Sequence, residues 1–62
     1  MQDTQLVARV KKFRKERRMT QETFSILCRI TKRTIINFEQ GKSVSANTVD
    51  RIVLTLMRHE AQ

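Results

Sequence analysis

An all-α fold follows from three observations on this chain of 62 residues. It has no proline and a single glycine, and its Ile, Leu and Val recur at helical rather than alternating spacing. Thr20, Thr31 and Ser45 each read as a helix cap bracketed by an apolar pair: Met19 with Phe24, Ile30 with Ile35, Val44 with Val49. The cap hydroxyl can accept an unpaired amide proton of the first turn, and the apolar pair staples the entering chain to the helix. Finally, Thr20–Lys42 divides into two short capped stretches separated only by Arg29, Ile30 and Thr31. So short a connection makes a sharp corner, and the two helices across it a helix-turn-helix. The expected architecture is one compact domain of four helices, or four to five, with that motif at helices 2 and 3. A chain this short buries only about 60% of its unfolded surface, so association is one route to added stability.

The first helix is expected from Thr4, with residues 1–3 frayed before it. Leu6, Val10 and Phe13 form its apolar stripe, and Arg9, Lys11, Lys12, Arg14, Lys15, Arg17 and Arg18 make it densely basic. Seven of the 13 Lys and Arg residues are thus assigned to one helix. Most fit a solvated face whose last cations complement the helix C-terminus. A basic amphipathic helix can also bind membranes or calmodulin-like partners, but the three caps downstream argue for a folded domain. The second helix, Gln21–Cys28, is expected to turn Phe24, Leu27 and Cys28 inward, to use Ser25 for close contact and to expose Ile26. Cys28 reads as a small buried apolar residue.

The third helix is expected over Lys32–Gln40, with Ile35 and Phe38 inward and Lys32, Arg33, Ile36, Asn37 and Gln40 outward. Gly41 ends it in the left-handed conformation that glycine adopts cheaply. After a short loop, Ser45 caps a fourth helix running to about His59, with Val49, Ile52, Val53 and Leu56 facing the core. Leu54 and Met57 fall off that stripe.

The net charge of +7 and a pI near 10.9 favour a polyanionic partner. One Cys fits a reducing compartment. No apolar run approaches the roughly 18 residues of a membrane span, and no signal-peptide pattern opens the chain. A soluble, cytoplasmic protein without a membrane partner is therefore expected. Catalysis is not: the one His, His59, has no assignable second group, no pair of carboxylates stands out, and no Gly-rich phosphate loop exists. No cofactor or metal site is expected. RNA modules usually stack bases on exposed aromatics, whereas all three Phe here fall on core positions.

One local violation carries the functional reading. Lys32 and Arg33 open the third helix, where the macrodipole disfavours each cation by roughly 0.3–1 kcal/mol. Such conflicts concentrate at functional sites. A helix tip presenting an ammonium and a bidentate guanidinium suits the major groove of DNA, where both can pair with guanine O6 and N7. Asn37, one turn further on the same face, has the geometry for adenine N6 and N7.

The chain also resembles the phage-repressor (lambda-repressor-like, or Xre) helix-turn-helix family. The resemblance runs from Leu6 to Leu56. It rests on Leu6, Val10, Phe13 and Arg14; on Met19-Thr20-Gln21-Glu22; on Ile30-Thr31 in the turn; on Thr34-Ile35 and Phe38-Glu39-Gln40-Gly41-Lys42; and on Thr48-Val49 with Ile52. It implies a four- or five-helix domain that binds double-stranded operator DNA, usually as a homodimer on a two-fold site. Under it, Lys32, Arg33, Ile36 and Asn37 match base-contacting positions, and Gln21, Thr31, Gln40 and Lys42 match phosphate-contacting ones. Arg14 and Glu39 match a pair that bridges the first and third helices. The chain departs from the pattern at Arg29, where relatives usually have glycine, in a loop after Gly41 one residue short, and in ending after the fourth helix. The expected function is a DNA-binding transcriptional repressor. The alternative is an antitoxin-like interaction protein that docks a protein partner. Leu54, Met57 and Ile26 are the candidates for a dimer or partner interface.

Overall fold

Hydroxyl caps open three of the helices, each in the same way. Thr20 Oγ1 accepts from the Thr23 N–H (3.0 Å), Thr31 Oγ1 from that of Thr34 (3.1 Å), and Ser45 Oγ from that of Thr48 (3.2 Å). In each case the third residue of the helix is Thr, and its hydroxyl bonds the cap hydroxyl at 2.8–3.0 Å. The computed structural model describes residues 4–60, and among them α1 (Thr4–Glu16), α2 (Gln21–Cys28), α3 (Lys32–Glu39) and α4 (Ala46–Glu60) form a small four-helix domain without strands. Residues 1–3, expected to fray, lie outside the described residues.

Three helices also end alike. Arg18 (φ 54°), Arg29 (φ 60°) and Gly41 (φ 83°) are left-handed. The N–H of the following residue then reaches back five positions: Met19 to the Arg14 carbonyl (2.9 Å), Ile30 to that of Ser25 (3.0 Å) and Lys42 to that of Asn37 (2.9 Å). This is the Schellman closure, which satisfies carbonyls the helix itself cannot. Glycine is expected at its left-handed position, yet two of the three carry Arg, whose Cβ crowds the carbonyl. Arg29→Gly should therefore raise stability by about 1 kcal/mol, net of the extra freedom glycine gives the unfolded chain. The exposed Arg29 side chain is not needed for the closure, and its carbonyl, which accepts from Arg51 Nη1 at 3.3 Å, is retained. A lowered melting temperature for this variant would show that the guanidinium does more than tolerate the turn.

The core joins Leu6, Val7, Val10 and Phe13 of α1 to Phe24 and Cys28 of α2, Ile35 and Phe38 of α3, and Ile52 and Leu56 of α4. Phe13 meets Phe24 edge-on, with centroids 5.6 Å apart. The staple residues Met19, Ile30, Val44 and Val49 pack against this cluster, as does Val53. Ser25 is buried and donates to the Glu22 carbonyl at 2.6 Å, which lets α2 approach its neighbours closely. Burial pushes the Cys28 thiol pKa up, and a hydrogen bond with Thr55 offsets this in part, so a neutral buried thiol is the form the fold favours.

Several expectations need correction. Leu27 does not face the core and is 36% exposed. Phe24 and Cys28, one turn apart, set the inward direction of this two-turn helix, and Leu27 lies to one side of it. Arg17 and Arg18 lie past the end of α1, so five cations, not seven, are on that helix. The third helix stops at Glu39, with Gln40 as its capping residue, and the fourth runs to Glu60. Val7 and Thr55 are buried without having been assigned to the interior.

The end of α4 is clasped to α1 and the turn after it. Arg9 Nη2 lies 2.6 Å from Glu60 Oε1, the His59 ring meets Phe13 edge-on with centroids 6.2 Å apart, and the Arg17 guanidinium sits 4.0 Å above the Phe13 ring. Arg17 Nη2 also donates to the His59 carbonyl at 3.4 Å. None of these contacts was evident from local pattern.

Candidate nucleic-acid interface

α3 is eight residues long and held at both ends, by the Thr31 cap and by the Gly41 closure. Ile35 and Phe38 are fully buried and fix its inner face. The outer face then follows from the helical period. Lys32 and Arg33 are exposed in its first turn, Ile36 and Asn37 are half-buried one turn on, and Gln40 and Lys42 are exposed beyond them. The first turn of α3 contains no acidic residue, whereas that of α2 contains Glu22. Two cations therefore stand at the positive end of a dipole, and among the described residues no ion pair engages either.

A buried ion pair anchors the other end. Glu39 accepts from Arg14 through both oxygens: Nε to Oε2 at 2.6 Å and Nη2 to Oε1 at 2.7 Å. The side chains are 5% and 16% exposed for Glu39 and Arg14. Arg14 Nη1 also donates to the Met19 carbonyl at 3.1 Å, and Gln21 Nε2 to Glu39 Oε1 at 3.3 Å. One carboxylate thus ties together α1, the α1–α2 turn, the start of α2 and the end of α3. Bidentate geometry of this kind fixes orientation as well as distance.

The remaining residues singled out are arranged unequally. Gln21 is half-buried and spends one amide proton on Glu39, while Thr31 is occupied as the cap of α3. Gln40 and Lys42 are exposed just past α3, near its left-handed closure. Leu54 and Met57 of α4 are 47% and 60% exposed, and Ile26 of α2 is 69% exposed. Leu54, but neither Met57 nor Ile26, lines an open groove of about 440 Å³ between the end of α2 and α4, together with Leu27. Sequence reasoning missed this groove, whose one advance signal was an apolar Leu27 that a two-turn helix could not bury beside Phe24 and Cys28. No described helix is long and apolar enough to cross a membrane. Comparison with protein-family models, with curated proteins and with solved structures finds no match to this chain.

Proposed function

We propose that this chain is a sequence-specific DNA-binding transcriptional regulator, a repressor that acts as a homodimer on a two-fold operator with α3 in the major groove. The observation that carries this reading is the exposed Lys32–Arg33 pair at the dipole-disfavoured start of a helix whose inner face and far end are rigidly held. In this reading Arg33 and Lys32 take guanine O6 and N7, and Asn37 takes adenine N6 and N7. Gln21, Thr31, Gln40 and Lys42 position the domain on phosphates, which sets register without reading sequence. Selection of bound sites from a random DNA library tests it. A palindromic motif is expected, and a pool without enrichment would sink the proposal.

Ile36 lies between Arg33 and Asn37 on the same face, and its assigned partner is the thymine methyl, the one apolar feature of the major groove. The selected half-site should hold a T flanked by a G and an A. Replacing that T by uracil removes only the methyl and should weaken binding by about 1 kcal/mol, the low end of a good base contact. In Ile36→Ala the same replacement should change almost nothing. Equal sensitivity of the two proteins would remove Ile36 from base reading.

Dimerisation is assigned to Leu54 and Met57, with Ile26 as a further candidate. Leu54→Glu should give folded monomers with weakened operator binding, seen by sedimentation. A wild-type protein that stays monomeric at high concentration would instead favour the second reading, an antitoxin-like subunit whose exposed apolar side chains dock a different protein.

A further inference from the structure

The groove between α2 and α4 has a composition that neither the DNA surface nor the core explains. Its α4 wall is built from Asn47, Asp50, Arg51, Leu54, Thr55 and Arg58, and its α2 wall from the segment Leu27–Arg29. The α4 positions follow the sequence i, i+3, i+4, i+7, i+8, i+11, one continuous stripe of about three turns, roughly 16 Å long. Leu27 and Leu54 supply apolar surface from opposite walls, and both are substantially exposed. Three guanidinium groups, those of Arg29, Arg51 and Arg58, rim them, against a single carboxylate, Asp50. No ion pair engages any of these four groups among the described residues.

The α4 wall is about three helical turns long and the α2 wall about one, so a helix laid along α4 meets the apolar anchors of both walls. Charge then selects among occupants. DNA would set phosphates against Leu27 and Leu54. A second copy laid in the groove, as distinct from one packed on the neighbouring Leu54–Met57 face, would bring three guanidinium groups and one carboxylate per protomer, so that even with Asp50 paired two cations of each copy go unanswered; like charges so juxtaposed oppose association. An acidic amphipathic helix satisfies both features, its leucine-like side chains entering between Leu27 and Leu54 and its carboxylates meeting the three guanidinium groups.

We propose that the α2–α4 groove is a docking site for an acidic amphipathic helix of a partner protein, anchored by Leu27 and Leu54 and oriented by Arg29, Arg51 and Arg58. The proposal stands apart from DNA recognition, which uses α3. It does touch dimerisation: Leu54 belongs to both surfaces, so the docked helix and a second copy exclude one another.

The test uses the full chain and a synthetic helical peptide of about four turns, with Leu along one face and Glu on the flanks. Two control peptides keep its length: one has Lys for Glu, the other has the same composition with its apolar face scrambled. Saturable binding of the first peptide alone is expected by titration calorimetry. Arg51→Glu with Arg58→Glu should weaken it about tenfold, the combined worth of two exposed ion pairs. Lys11→Glu with Lys15→Glu makes the same change in net charge on α1 and should leave binding nearly unchanged. Equal losses in the two double variants would mean that the peptide senses only the overall charge of +7, and would overturn the proposal. So would binding of the scrambled peptide as tight as that of the amphipathic one. Self-association strengthened by Arg51→Glu with Arg58→Glu, with peptide binding unchanged, would identify a second copy as the occupant. All four substituted side chains are exposed, and unchanged melting temperatures check that the variants fold.

Discussion

Glu39→Ala should lower stability by about 3 kcal/mol, the low end of the loss expected when one partner of a buried ion pair is removed. The cause is less the lost attraction than what remains. The Arg14 side chain, only 16% exposed, would be left without its counter-charge. A domain of 62 residues has roughly 3–9 kcal/mol in all, so the variant should lose about a third of its stability or more. Arg14→Met combined with Glu39→Leu should recover most of the loss, because apolar residues of similar volume remove both desolvation costs at once. Urea denaturation of the three proteins checks this. A Glu39→Ala midpoint close to that of the wild type would reduce the pair to a surface contact.

Operator binding should collapse with salt. With about four to eight phosphates neutralised by Lys and Arg per dimer, log K falls with log salt at roughly −0.9 for each. Between about 50 and 200 mM salt, that amounts to two to four decades of affinity. Lys42→Gln should lower the slope by nearly one unit for each protomer while leaving the selected motif intact. Arg33→Gln should relax the motif itself. A flat salt response in the wild-type protein would exclude DNA as the functional polyanion, whatever the helix geometry suggests.

The elements of this fold were legible because their boundaries are local chemistry. Thr20, Thr31 and Ser45 each signal a helix start within a window of a few residues, and the apolar residue on either side confirms it. α2 was bounded correctly at both ends for that reason. The outward face of α3 was legible as well, since Ile35 and Phe38 fix the helical phase. Ion pairs are less so: Arg14 and Glu39 stand 25 positions apart and Arg9 and Glu60 51 apart, and no local pattern joins either pair. Arg18 shows a different limit. Left-handed backbone is read from glycine, and a chain that closes a helix with arginine conceals the turn. Leu27 shows a third: on a two-turn helix the core stripe is too narrow for its phase to be set by periodicity alone.

The clasp between Arg9 and Glu60 also bears on chain topology. Thr4 lies five residues before Arg9, about 7.5 Å of helix rise, so the start of α1 and the end of α4 are separated by no more than that rise plus the reach of the Arg9 and Glu60 side chains. A flexible bridge of about six residues, at 3.3–3.6 Å each, would join them. The chain could then be reopened between Gln40 and Ser45, giving an order that begins with α4 and leaves the α2–α3 corner uncut. All the helix caps and closures lie within single segments of such a permuted chain, except the Gly41 turn, whose Lys42 hydrogen bond sets how close to Ser45 the cut must fall. A permuted chain of this order that melts as cooperatively as the original would make the order of the four helices incidental to the fold. The sequence would then have to preserve each corner, not the path between them.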